Sequence, residues 1–119
     1  MKKLAVVLVS VTLIISCTKG KDSSSDGGGG SYTPSCTGTA KSFSNDVLPI
    51  FQSVCSAAGC HNAGSGNGPG ALTNYNQIFA ARSDIRGQVL TGQMPLNSTL
   101  TTTQKNNIIC WIDSGAPNN

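Results

Sequence analysis

The apolar positions of this chain fall into one unbroken run near the start and three later stretches where they recur every three or four residues. Residues 4–15 are apolar except for Ser10 and Thr12. At about a dozen residues that run is short for a bilayer crossing. Residues 18–35 are mostly serine and glycine, a composition that packs no core and makes a flexible tether with a root-mean-square span of roughly 23 Å. Phe43, Val47, Leu48, Phe51 and Val54 then lie on one face of a helix. Pro49 is best tolerated in a first turn, so Asn45 or Asp46 is expected to cap this helix rather than Ser44. Residues 63–70 are too rich in glycine for regular structure. Leu72, Tyr75, Ile78, Phe79 and Arg82 predict a short helix, and residues 85–90 a further turn interrupted at Gly87. The last stretch is the clearest. Thr101 and Gln104 have the spacing of a capping box, Gln104, Ile108, Trp111 and Ile112 share a face, and Gly115 with Pro117 ends the helix. Nothing alternates over the length of a strand, so the expected fold class is all-α.

Composition narrows the picture. Aromatic residues make up 5% of the chain and charged residues 11%, so core-forming material is scarce, and a domain this small usually needs a staple, a metal or a cofactor. The expected organisation is a signal segment at 1–16, a tether at 17–35 and a folded domain at 36–119. Lys2 and Lys3 precede the apolar run as a basic n-region. The run closes on Ile14-Ile15-Ser16-Cys17, which resembles the lipobox of bacterial lipoproteins. That resemblance implies lipid on Cys17, a membrane anchor through it, and a place in the bacterial cell envelope, facing the periplasm or the cell surface. The formal charge of +3 includes Lys2 and Lys3 and drops to +1 without them. With no basic stripe interleaved with aromatics, nucleic acid is not an expected partner. The chain contains no glutamate and no nucleophile–base pair, phosphate loop or carboxylate cluster that would argue for hydrolysis.

The chemistry-bearing residues are Cys55-Ser56-Ala57-Ala58-Gly59-Cys60-His61, a C-x4-C-H motif at the end of the first helix. The usual haem attachment sequence is C-x-x-C-H, in which two thiols add to the vinyl groups and the adjacent histidine comes under the iron. Adjacency of Cys60 and His61 keeps that relation, and two extra spacer residues can bulge outward. Other readings stay open at this level: a local Cys55–Cys60 disulfide, a zinc site with a fourth ligand from Cys36 or Cys110, or a surface histidine without a role. Past the signal segment the single methionine is Met94, in Gly92-Gln93-Met94-Pro95. A thioether is a soft ligand suited to haem iron, and His/Met ligation raises its potential. The alternative is a methionine that fills a gap in an apolar core.

With these residues in place, F-S-N-D-V-L-P-I-F-Q-S-V-C-S-A-A-G-C-H, then Q-M-P, then L-T-T-T-Q-K-N-N-I-I-C-W-I-D-S-G-A-P-N-N resemble small class I cytochrome c domains. The resemblance covers about residues 43–119 and departs from the usual pattern in its four-residue spacer, which leaves the Cys55 thioether less secure than the Cys60 one. It implies an all-α cytochrome c-like domain around one haem c, with thioethers from Cys55 and Cys60 and iron ligation by His61 and Met94. Ile50, Phe51, Leu72, Tyr75, Phe79, Leu90 and Trp111 are the expected haem-lining residues, and Arg82, Arg86 or Lys41 the candidates to meet propionates. In such a fold the first and last helices cross, so the two remaining cysteines, Cys36 and Cys110, are expected to form a disulfide. The implied role is a monomeric, non-enzymatic carrier of single electrons between redox partner proteins. Two rivals differ in class: a haem sensor or small haem enzyme with an open sixth position, and a haem-free surface module with Cys55–Cys60 and Cys36–Cys110 disulfides.

Overall fold

Four helices account for the regular structure of residues 32–119, the part of the chain that the computed structural model describes. The expectations placed on residues 1–31, namely the signal segment, the lipid on Cys17 and most of the tether, lie outside the described residues. Among the described residues there is no strand, and no helix is long and apolar enough to cross a membrane.

Helix α1 is a continuous run in three stretches, Phe43–Val47, Leu48–Ile50 and Phe51–Cys55, the outer two wound in the wide π manner. Its cap is Ser42, not Asn45 or Asp46. Both expected residues serve that cap instead: Asn45 N–H donates to Ser42 Oγ at 3.3 Å, and the Asp46 carboxylate accepts from Ser42 N–H at 2.8 Å. Pro49 explains the shift. It sits inside the run rather than in the first turn, immediately after a wide turn in which Leu48 N–H reaches back to Phe43 O. The wider turn draws the preceding carbonyl away from the proline ring, whose clash would otherwise break the helix. Asn119 completes the start of α1, its side-chain oxygen accepting from Phe43 N–H and its main-chain oxygen from Ser44 N–H, both at 2.8 Å.

Helix α2, Tyr75–Ala80, is capped by Asn74, so Leu72 lies in the approach to it and is buried there. Helix α3 spans Arg82–Thr91 without a break at Gly87. An exposed glycine weakens a helix by only about 1 kcal/mol, and Ile85 and Val89, buried on either side of it, hold the helix to the core. Helix α4, Thr102–Asp113, has the capping box in full: Gln104 N–H donates to Thr101 Oγ1 at 3.2 Å and Thr101 N–H to Gln104 Oε1 at 2.9 Å.

The core forms where α4 packs against α3 and against the first stretch of α1. Phe43, Val47, Ile50 and Phe51 of α1 meet Ile108, Ile109 and Trp111 of α4 in one buried cluster with Ile78, Ile85 and Val89. Phe43 stands 5.5 Å from Trp111 and edge-on to Tyr75 at 5.1 Å. Polar tips are satisfied at the rim, with Trp111 Nε1 donating to Pro117 O and Tyr75 OH to Ala116 O, each at 2.9 Å. Tyr32 and Ser35, tether by composition, are held on this body. Tyr32 N–H donates to Leu90 O, and the Tyr32 hydroxyl and Ser35 N–H both donate to Asn106 Oδ1. One residue on, Cys36 and Cys110 are joined by a disulfide with their Cα atoms 5.3 Å apart.

Candidate functional site

Cys55 is the last residue of α1 and packs half-buried against the core, while Cys60 is exposed. Both thiols are unpaired, so a local disulfide is not formed here. Burial, reinforced by nearby Cys60, pushes the Cys55 thiol from its ordinary 9.0 up to about 11. The spacer between them is an outward arc. Ser56 N–H closes the helix on Phe51 O, Cys60 N–H turns back to Ala57 O, and His61 N–H returns to Cys55 O at 3.0 Å. Ala57, Ala58 and Gly59 are exposed on the arc, and Gly59 takes φ +81°, a left-handed conformation that suits glycine. The extra residues thus leave the main chains of Cys55 and His61 side by side.

His61 is half-buried, with Nδ1 2.9 Å from Gly70 O. A carbonyl can only accept, so Nδ1 carries a proton and donates, and in the neutral ring Nε2 keeps a free lone pair. This is the arrangement found behind metal-binding histidines, where the second nitrogen's hydrogen bond orients the ring and raises its basicity. The loop after His61 is tied in by Leu72 N–H on His61 O and by Ser56 Oγ on Leu72 O, both at 2.9 Å. Its own polar residues reach back to the motif: Asn67 Nδ2 donates to Gly59 O and Cys60 O, and Ser65 Oγ to Cys60 O. Sequence reading passed over Ser65, Asn67 and Gly70, because a glycine-rich stretch announces a loop but not which carbonyls its side chains will find.

Met94 follows the turn that ends α3 at Gly92, its N–H on Gln88 O. It is half-buried and stands apart from the hydrophobic cluster, unlike a methionine that fills a core gap. Of the expected lining residues, Ile50, Phe51, Leu72 and Trp111 are buried in the core, and Tyr75, Phe79 and Leu90 pack at its margin. A groove of about 450 Å³ opens between the loop behind His61 and helices α2 and α3, lined by Pro69, Ala71, Gln77, Ala80, Ala81 and Asp84. None of these six carried a sequence signal, being mostly small residues on exposed or loop positions.

Two of the candidate anion partners are already engaged. Arg86 forms a two-pronged pair with Asp113 at 2.6 and 3.1 Å, and the hydrogen bond and charge of Asp113 hold its guanidinium above the usual value. Arg82 lies 4.0 Å over the Phe79 ring and donates to Phe79 O. Lys41 is half-buried beside the start of α1. The zinc reading loses its fourth ligand, since Cys36 and Cys110 are bonded to each other. Among the described residues, no three His, Cys, Asp or Glu side chains come together as a metal cage would require.

No family model matches the chain, and neither does any curated protein or solved structure.

Proposed function

We propose that this chain is a monohaem c-type cytochrome, a lipid-anchored carrier of single electrons in the bacterial cell envelope. The observation that carries the reading is the state of the C-x4-C-H segment. Its histidine has Nδ1 tied to Gly70 O and follows directly on Cys60, both motif thiols are unpaired, and the chain's other described cysteines are bonded together. That donor set fits haem c. His61 Nε2 and Met94 would hold the iron, and Cys55 and Cys60 would bind the ring covalently through thioethers. When bound, the haem supplies a one-electron iron couple, tuned by its axial ligands and burial.

The protein's own residues prepare this. Gly70 O orients the His61 ring and strengthens it as a donor. Burial, with Cys60 nearby, raises the Cys55 thiol and favours its protonated form. Met94 is half-buried outside the hydrophobic cluster, which would leave its thioether available to the iron.

The test is expression of the full chain in a host with haem-attachment machinery. The expected product is red, gains the mass of one haem through Cys55 and Cys60, and in the reduced form binds no carbon monoxide, because Met94 fills the sixth position. A colourless product with Cys55 and Cys60 oxidised to each other overturns the assignment. Uptake of carbon monoxide by a haem-bearing product would leave the attachment standing and replace the carrier role with that of a sensor or small haem enzyme.

A further inference from the structure

The usual haem attachment motif has a two-residue spacer. Here four residues separate the cysteines, the arc is exposed from Ala57 to Cys60, and apolar burial does little to hold it. What holds it is polar. Asn67 Nδ2 donates to Gly59 O at 2.9 Å and to Cys60 O at 3.0 Å, and Ser65 Oγ adds a second donor to Cys60 O. Asn67 N–H is in turn held by Ser65 Oγ at 3.2 Å. The Asn67 main-chain carbonyl accepts from Gly70 N–H, and Gly70 O accepts from His61 Nδ1. One residue therefore grips the carbonyl of the second cysteine with its side chain. With its main chain it grips the residue whose carbonyl orients the histidine.

We propose that Asn67 is the positioning residue of the Cys60–His61 pair, a brace that fixes the geometry of the long-spacer motif. The proposal rests on the haem reading of that motif. Ser65 assists by orienting Asn67 and sharing the Cys60 carbonyl. Loss of the Asn67 side chain frees the arc at Gly59 and Cys60 and, through the backbone of Asn67 itself, loosens the turn whose Gly70 N–H sits on the Asn67 carbonyl, so both thioether geometry and the proton on Nδ1 respond, although Asn67 touches neither thiol nor imidazole. The core is untouched, because Asn67 is exposed and its bonds all run within the loop.

The test uses the full chain and two variants, Asn67→Asp, which keeps the shape but loses both N–H donors, and Asn67→Ala. In haem-free protein, nitrogen NMR of His61 reads the tautomer. The unaltered chain is expected to hold the Nδ1–H form, and both variants to move toward the Nε2–H form that free histidine prefers. The ordered population should fall by roughly tenfold, as the loss of two hydrogen bonds implies. In chain matured with haem, peptide mass analysis should show a matching loss of the doubly linked product and a more positive midpoint potential, because a weaker Nδ1–H bond makes a weaker donor of Nε2. Thermal unfolding should stay close to that of the unaltered chain in all cases, separating a brace from a folding defect. An unchanged tautomer, linkage and potential in both variants overturns the brace while the haem reading stands. An unaltered chain that takes up no haem defeats that reading, and the tautomer arm still decides what Asn67 does to His61.

Discussion

The helical body and the loop of residues 56–72 are held together by opposite means. In the body, Trp111, Phe51, Val47, Ile78 and Ile108 are shut away from solvent, and a disulfide locks the segment leading into α1 onto α4. In the loop, the order comes from side chains caught on main-chain carbonyls: Ser56 on Leu72, His61 on Gly70, Asn67 on Gly59 and Cys60. The chemistry-bearing residues sit at the seam, with Cys55 on the body and Cys60 and His61 on the loop. The difference has a physical lesson. Burial stabilises a fold but closes its surface, whereas a hydrogen-bonded arc can fix a thiol and an imidazole and still leave them open to a ligand.

The comparison breaks most visibly at Trp111. Trp111→Ala removes a side chain with no exposure at the meeting of α1, α2 and α4 and is expected to cost about 3–5 kcal/mol in urea denaturation. Trp111→Phe should retain most of that, and neither change should oxidise Cys55 or Cys60. Next in size is the staple. Cys36→Ala combined with Cys110→Ala opens a link across a separation of 74 residues and should lower stability by about 2–4 kcal/mol. The loss should appear as a lower melting temperature with the helical signal intact.

Cys55 tests the seam itself, in haem-free protein. Its folded thiol titrates near 11 against an ordinary 9.0, so between those values the folded chain holds a proton that the unfolded chain has released. The stabilisation is complete below pH 9 and is lost toward pH 11, on the order of 2 kcal/mol. Cys55→Ala should remove that decline, measured as the difference between the two chains' unfolding curves across the range.

The smallest effects separate the regions by sign. Gly87 lies in α3 with open space where a Cβ would stand, so Gly87→Ala should stabilise by about 0.5–1 kcal/mol. Gly70 takes φ +100° in the loop, and Gly70→Ala should instead destabilise by about 1 kcal/mol. It should also disturb the His61 Nδ1 contact seen by NMR, which Gly87→Ala leaves alone.

Much of the body was legible along the chain. Thr101 and Gln104 announced the start of α4, and the spacing of Ile108 and Trp111 announced its buried face, because capping and 3.6-residue periodicity are local properties. Pro49 misled the reading of α1 because a wide turn can absorb a proline, and the pattern of apolar positions does not reveal such a turn. Gly87 misled in the same way, since the burial of Ile85 and Val89 outweighs one poor helix former. At the site, Cys55, Cys60, His61 and Met94 were conspicuous by type and spacing, while Asn67, Ser65 and Gly70 were not.

The linear chain by itself determined the helical class, the ends of the last helix, and the few sulfurs and the lone imidazole available for chemistry, since these depend on neighbours within a turn or on mere presence. Folding in three dimensions decided that Tyr32 and Ser35 belong to the body and that Nδ1 of the histidine faces the Gly70 carbonyl. Those outcomes depend on which distant main-chain groups come within hydrogen-bonding reach. Only the packing of α4 against its neighbours, and the path of one polar loop, could settle them.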